Sequence, residues 1–247
     1  MNMNDEAYFI SDAHLGSRTQ PMEREKEARL CSFLRAIRGR ARALYIVGDF
    51  FDFWFEYRSV VPRVGGKALF ELYNLTSSGT RVVYLGGNHD FWLGSYLSEE
   101  VGIRIHTDPI EVEHDGLRIF LAHGDEYSGD ARYRLLRGVL HHRFSAHLFR
   151  ALHPDLGALL ARWASRASGE AHPEGDLSIF RERYIKTAQQ KFDEGFDAVV
   201  FGHLHIPLLR ERDGKSLLVL GDWVRHFSYA MLKGRKFSML RWAEGNC

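Results

Sequence analysis

Leu44-Tyr45-Ile46-Val47-Gly48-Asp49-Phe50-Phe51-Asp52 is the stretch that decides the fold. Four apolar residues in a row read as a short strand buried on both faces. Gly48 stops it, and carboxylates follow at Asp49 and Asp52. The same pattern recurs on either side. Ala7 to Ile10 is an apolar run that ends at Ser11-Asp12-Ala13-His14, and Arg81 to Leu85 ends at Gly86-Gly87-Asn88-His89-Asp90. Pro21 to Arg38 places Leu30, Phe33, Leu34 and Ile37 on one helical face, and Gly66 to Ser77 reads as a second helix closed by Gly79. Strand, helix, strand, helix, strand argues for parallel pairing.

The second half changes character. Ile110 to His114 and Leu117 to Ala122 flank Asp115-Gly116, a two-residue hairpin signal. Leu208 to Arg212 and Ser216 to Leu220 flank Asp213-Gly214 in the same way, and Tyr229 to Lys233 and Lys236 to Arg241 flank Gly234-Arg235. Ala198 to Phe201 is a further buried strand. Asp130 to Phe192 reads as helical, with breaks at Pro154 and at Ala171 to Gly175. The expectation is an α/β protein with a mixed sheet system, a single domain over 1–247 that holds a helical insertion over 130–175.

Composition narrows the function. The chain has 247 residues and a formal net charge of +1, which argues against nucleic-acid binding through bulk charge. No run of about 18 apolar residues is present to span a membrane. Cysteines occur only at Cys31 and Cys247, too few for a disulfide framework. Met1 to Glu6 is polar and acidic, and functional-looking residues begin at Asp12, so the reading is of a cytoplasmic chain without a leader. The thirteen histidines are the unusual count.

Several of them fall just after strands. The strand ends carry Asp12-Ala13-His14, Gly48-Asp49 with Asp52, Gly87-Asn88-His89-Asp90, His123-Gly124-Asp125 and Gly202-His203-Leu204-His205. Open α/β sheets bind ligands outside the carboxyl ends of their strands, so five such ends would converge on one crevice. In extended backbone, Asp-x-His and His-x-His point both side chains the same way. A carboxylate such as Asp49 can bridge two cations through its two oxygens. Mixed imidazole and carboxylate donors suit Mn, Fe or Zn, and a metal pair is the usual clamp for phosphoryl hydrolysis. Each piece alone has a plain reading as a polar strand end; five in this order do not. His106, His114, His141, His142, His147, His153, His172 and His226 match no motif and read as surface or packing residues. Gly221-Asp222-Trp223 follows a strand and either shapes the rim of the site or is structural.

This series resembles the calcineurin-like metallophosphoesterases over nearly the whole chain. The resemblance implies a four-layer β-sandwich flanked by helices and a dinuclear site, often loaded with Mn. It implies that one metal takes Asp12, His14, Asp49 and His205, and the other Asp49, Asn88, His123 and His203. A closer resemblance is to the UDP-2,3-diacylglucosamine diphosphatases of lipid A synthesis. It rests on Ser11-Asp12-Ala13-His14-Leu15, on Gly48-Asp49-Phe50-Phe51-Asp52-Phe53-Trp54, and on Gly87-Asn88-His89-Asp90-Phe91-Trp92-Leu93-Gly94. His123-Gly124-Asp125 leading to Asp130-Ala131-Arg132-Tyr133 adds to it, as does Gly202-His203-Leu204-His205-Ile206-Pro207. It implies cleavage of the substrate pyrophosphate to UMP and 2,3-diacylglucosamine 1-phosphate, with substrate contacts at Trp54, Asp130, Tyr133 and Arg166. His89 departs from that group, whose best-known members resemble Gly-Asn-Arg-Asp at this motif; histidine is the pattern of the wider family. On this reading Asn88 and His89 are catalytic, stabilising charge on phosphoryl oxygens or the leaving group, and Asp52 and Asp90 orient His89 or the ligand histidines.

Ala131 to Gly169 holds seven arginines and four histidines against the single acid Asp155, with leucines at helical spacing. A cationic amphipathic segment suits an acylated anionic substrate or the anionic inner face of a membrane; equally, its apolar stripe is ordinary core contact. No obligate protein partner is implied. Two alternatives stay open: a phosphodiesterase or phosphomonoesterase of other substrates, and an inactive metal-binding scaffold.

Overall fold

The computed structural model describes residues 5–90, 92–128, 138, 143–157, 159–160 and 177–243. In chain order the elements are β1 (Glu6–Ile10), α1 (Gln20–Ile37), β2 (Ala41–Val47), α2 (Gly66–Ser77), β3 (Arg81–Leu85), α3 (Tyr96–Glu99), β4 (Arg104–His106), β5 (Ile110–His114) and β6 (Leu117–Ala122). They continue with α4 (Asp125–Ser128), α5 (Arg143–Arg150), α6 (Leu177–Asp193), β7 (Ala198–Phe201), β8 (Leu208–Arg212), β9 (Lys215–Val219), β10 (Ser228–Lys233) and β11 (Lys236–Arg241).

Alternation along the strands builds the layers. In β1, Ala7 and Phe9 face one side and Tyr8 and Ile10 the other. Ala7, Phe9, Ala43, Tyr45, Val47, Val83 and Leu85 meet Leu117, Ile119, Leu121, Ala198, Val200 and Leu218, and this apolar layer joins two sheets face to face. On the outer face of the first sheet, Ile10, Leu44, Ile46 and Val82 pack against Leu30, Phe33 and Leu34 of α1 and Leu69 and Leu72 of α2. On the outer face of the second, Phe120, Val199 and Phe201 pack against Tyr184 and Ala188 of α6. Each fully buried Leu or Phe contributes ~1.5–3 kcal/mol. The result is helix, sheet, sheet, helix, the four layers expected.

The first sheet runs β11-β10-β1-β2-β3-β4 and the second β5-β6-β7-β9-β8. Pairing is parallel from β1 through β4 and antiparallel at β10 and β11. In the second sheet β6, β7 and β9 are parallel, with antiparallel edges. The central parallel strands of both sheets therefore end on the same side, where the conspicuous residues lie. β2 begins at Ala41, earlier than its apolar run, because Ala41 and Ala43 are buried around an exposed Arg42. β4 carries no apolar signature, being a three-residue edge strand of exposed and half-buried residues. Among the described residues no helix is long and apolar enough to cross a membrane. Cys31 is a buried free thiol.

One polar group interrupts the layer between the sheets. His114 Nε2 receives the Tyr45 hydroxyl at 2.6 Å and Arg81 Nη2 at 3.3 Å. Two donors on one nitrogen fit a neutral ring with its proton on Nδ1. Burial, Arg81 and Arg42 push the imidazole down to about 4 from an ordinary 6.5. Its contribution to stability is complete above pH ~6.5 and is lost as pH falls towards 4, since the unfolded chain takes up the proton first. We expect His114→Gln to remove about 1–2 kcal/mol of the stability difference between pH 7 and pH 5, measured by urea unfolding.

Candidate metal centre

The loops after β1 and β2 are joined by backbone hydrogen bonds. Asp12 N–H donates to Gly48 O at 3.2 Å, His14 N–H to Asp49 O at 2.9 Å, and Asp52 N–H to Leu15 O at 3.0 Å. In the second sheet the loops after β6 and β7 are tied to each other, Gly202 N–H donating to His123 O at 2.9 Å, and the loop after β9 joins the first pair, Trp223 N–H donating to Asp12 O at 3.1 Å. Asp12, His14, Asp49, His203 and His205 all have positive φ, between 42° and 67°. Such backbone costs a non-glycine residue ~1–3 kcal/mol and persists only where the surroundings over-determine it. Asp-x-His and His-x-His thus do converge, but through left-handed turns and not through the extended backbone expected.

Three overlapping groups result: Asp12, His14 and His205; Asp49, His123 and His203; and His14, Asp49 and His89. Within each, the donor atoms lie within 4.8 Å of one another. Asn88 Oδ1 is 3.1 Å from His123 Nε2 and so borders the second group. The carboxylates divide their oxygens. Asp12 Oδ2 accepts the His203 N–H at 3.0 Å. Asp12 Oδ1 is buried and accepts no hydrogen bond from the described residues, with His205 Nε2 at 3.2 Å and His14 Nε2 at 3.8 Å. Asp49 Oδ1 accepts the His89 N–H at 2.9 Å, while Oδ2 lies 3.3 Å from His123 and 3.8 Å from His14. Oδ2 thus lies between one imidazole of each group, while Oδ1 is engaged by a backbone amide. His123 Nδ1–H donates to Val47 O at 2.9 Å, which fixes the tautomer and leaves Nε2 towards the centre.

Without a cation, these groups balance charge among themselves. Burial opposes ionisation of Asp12 and Asp49, yet His205 and His14 around the first and His123 and His89 around the second hold both well below the usual carboxylate range. Burial disfavours protonation of His14, but Asp12, Asp52 and Asp49 outweigh it and raise the ring to about 10. His123 rises in the same way through Asp49, while burial and the charge of His123 lower His203 to about 4. An orphaned carboxylate oxygen and facing imidazole nitrogens, His14 Nε2 and His205 Nε2 being 3.2 Å apart, fit divalent cations with mixed N and O ligands.

The family model for calcineurin-like phosphoesterases matches residues 7–207. The chain belongs to that family. It is 39% identical to a UDP-2,3-diacylglucosamine hydrolase of Porphyromonas gingivalis, over 94% of this chain and 95% of the relative. It is 32% identical to the UDP-2,3-diacylglucosamine hydrolase of Neisseria meningitidis serogroup B, over 92% of each.

Within this phosphoesterase fold the remaining expected residues divide. Asp52 lies between two rings, its Oδ1 3.6 Å from His14 Nδ1 and 3.7 Å from His89 Nδ1. His89 Nδ1–H donates to the Asp52 carbonyl at 3.1 Å. Asp90 does not orient a histidine. Its carboxylate accepts the N–H groups of Gly87, Phe51 and Asp49 at 2.8, 3.1 and 3.3 Å and the Tyr84 hydroxyl, so it ties the β3 loop to the β2 loop. Trp54 is corrected as a substrate contact: its ring is fully buried against Phe51, with Nε1–H on Glu56, and presents no face to a ligand. Asp130, Tyr133 and Arg166 lie outside the described residues.

Asp222, from the Gly221-Asp222-Trp223 step read as rim or structural, lies at the site, and it brings with it His226, which no motif marked. Asp222 Oδ2 is 2.9 Å from His226 Nδ1 and 3.7 Å from His205 Nδ1, and Oδ1 accepts the N–H groups of Val224, Arg225 and His226. The signal was Gly221-Asp222 after a central parallel strand, the arrangement of Gly48-Asp49. The aromatic rings of Phe53, Phe55 and Trp92 surround Phe149 of α5 at 4.8–5.6 Å between centroids, which seats the described part of the insertion beside the centre.

Gly48 tests the packing. It has φ +84°, and a Cβ there would overlap the His123 ring. Gly48→Ala is expected to destabilise the fold by about 2–3 kcal/mol in chemical denaturation, more than a glycine with open space such as Gly39.

Proposed function

We propose that this chain hydrolyses the pyrophosphate of UDP-2,3-diacylglucosamine, releasing UMP and 2,3-diacylglucosamine 1-phosphate. What carries the reading is a clustered set of imidazole and carboxylate donors in a chain matched over more than nine-tenths of its length by relatives named UDP-2,3-diacylglucosamine hydrolase. Asp12, His14, Asp49 and His205 would hold one divalent cation, and Asp49, Asn88, His123 and His203 the other. Mixed imidazole and carboxylate donors suit Mn, Fe or Zn alike, and the family resemblance favours Mn. Such cations, when bound, neutralise phosphate charge and activate water for attack on phosphorus.

The chain's own residues supply the rest. Water adds to phosphorus, and the anhydride P–O bond breaks. Asn88 and His89 stabilise negative charge on the phosphoryl oxygens and the leaving phosphate. With Nδ1–H held by the Asp52 carbonyl, His89 offers Nε2 to exchange a proton with the substrate. Asp52 and Asp222 orient His14 and His205 through their Nδ1 sides.

In this reading the described part of the insertion, residues 143–157 and 159–160, serves the acylated part of the substrate. Leu148, Leu156, Leu159 and Leu160 are exposed, close in sequence to exposed Arg150 and His147. Apolar and cationic groups side by side suit acyl chains and an anionic bilayer surface. The enzyme then works at the inner face of the membrane, held peripherally.

The test is a product assay with UDP-2,3-diacylglucosamine and Mn²⁺, following UMP and the lipid phosphate together. Release should be abolished by a chelator and by Asp49→Asn, with the variant's circular dichroism unchanged. Cleavage of a simple aryl phosphodiester but not of this substrate would retain the phosphoesterase and refute the lipid reading. An active Asp49→Asn variant would refute the bridging assignment.

A further inference from the structure

The inward face of α1 is apolar at Leu30, Phe33, Leu34 and Ile37, and Lys26 stands on that same face with 3% of its side chain exposed. Burying an ammonium group is costly unless it is paired and hydrogen-bonded. Lys26 Nζ has three partners: Glu23 Oε2 at 3.1 Å, the His14 carbonyl at 2.5 Å and Ser17 Oγ at 3.3 Å. Glu23 adds two more bonds to the same loop, accepting the Gly16 N–H at 2.8 Å and the Arg18 N–H at 3.1 Å. One ion pair, a helical turn in length, thus takes a carbonyl, two amides and a hydroxyl from residues 14–18.

We infer that Lys26, together with Glu23, is a positioning residue for the metal centre, holding the His14 peptide from beneath so that its imidazole meets Asp12 and His205. The inference rests on the metal reading above. His14 has φ +42° and Gly16 φ +101°, so the chain turns sharply here. On its amino side the His14 peptide is fixed by its N–H on Asp49 O. On its carboxyl side the Lys26 ammonium joins the Ser17 N–H, at 3.1 Å, on the His14 carbonyl. Without Lys26 a strained residue loses one of three hydrogen bonds on its peptide groups, the one that ties its carbonyl to α1. Relaxation to negative φ then carries the ring away from Asp12 Oδ1 and His205 Nε2. Of the second cation's ligands only Asp49, on the loop after β2, is shared and bonded to the His14 peptide; Asn88, His123 and His203, on the loops after β3, β6 and β7, are not among the partners of Lys26, so the effect falls mainly on one site.

Lys26→Met keeps the length of the side chain and removes the charge and the donor. Mn²⁺ binding would be followed by calorimetry and electron paramagnetic resonance, alongside thermal unfolding of the metal-free protein. Wild type is expected to bind two equivalents. Lys26→Met should bind one of them about tenfold more weakly and the other with little change, with the spin-coupled signal of the pair lost at sub-saturating Mn²⁺ while unfolding stays cooperative. Glu23→Gln, a milder change, should weaken the same site by a smaller factor, and it decides the matter if Lys26→Met does not fold. Two unchanged sites, or equal weakening of both, would overturn the positioning role and leave the metal reading intact. A wild-type protein that binds no Mn²⁺ would overturn both.

Discussion

Asp49 is a carboxylate at 1% exposure, and much of the structure answers that one fact. An ion at such depth is tolerated only with countercharge and hydrogen bonds supplied on every side. Imidazoles of His123, His89 and His14 surround it, one oxygen takes the His89 amide, and the other faces two groups of donors. His123 comes from the second sheet and Asp49 from the first. The polar centre is therefore also the seam where the two sheets meet, beyond the apolar layer of Phe9, Tyr45, Leu121 and Val200. Position and chemistry are set by the same contact.

Strain and support are distributed accordingly. Five of the seven candidate ligands lie in left-handed backbone, and the elements beneath them are tied by bonds that serve little else. Asp90 gathers amides from two loops, Asp222 gathers three amides from its own turn, and the Lys26–Glu23 pair gathers the β1–α1 loop. Preorganisation of this kind means that a cation or a phosphate meets donors already in place, with little reorganisation left to perform.

Most strands were legible because alternation and apolar runs survive in β1, β2, β3, β6 and β7, and because Gly-Asp and Asp-Gly steps mark their ends; their order in the two sheets was not, since it is set by contacts between strands far apart in sequence. The donor residues were legible for the same reason: they sit where parallel strands stop. β4 was not, since an edge strand of Arg104, Ile105 and His106 has no buried face to impose a pattern. The left-handed turns were hidden because Asp and His tolerate positive φ without announcing it, whereas a glycine would. Trp54 was misread because a tryptophan beside a motif looks the same whether it lines the pocket or supports its floor. Lys26 was not legible because a lysine on a charged helix reads as solvent-facing, and its partners on residues 14–18 follow no helical spacing.

Anomalous diffraction from crystals loaded with Mn²⁺ tests most directly the claim that one buried carboxylate organises two cations. Two peaks are predicted next to Asp49, one beside Asp12, His14 and His205 and the other beside Asn88, His123 and His203. A single peak, or a second peak coordinated by His89 in place of Asn88, would contradict it.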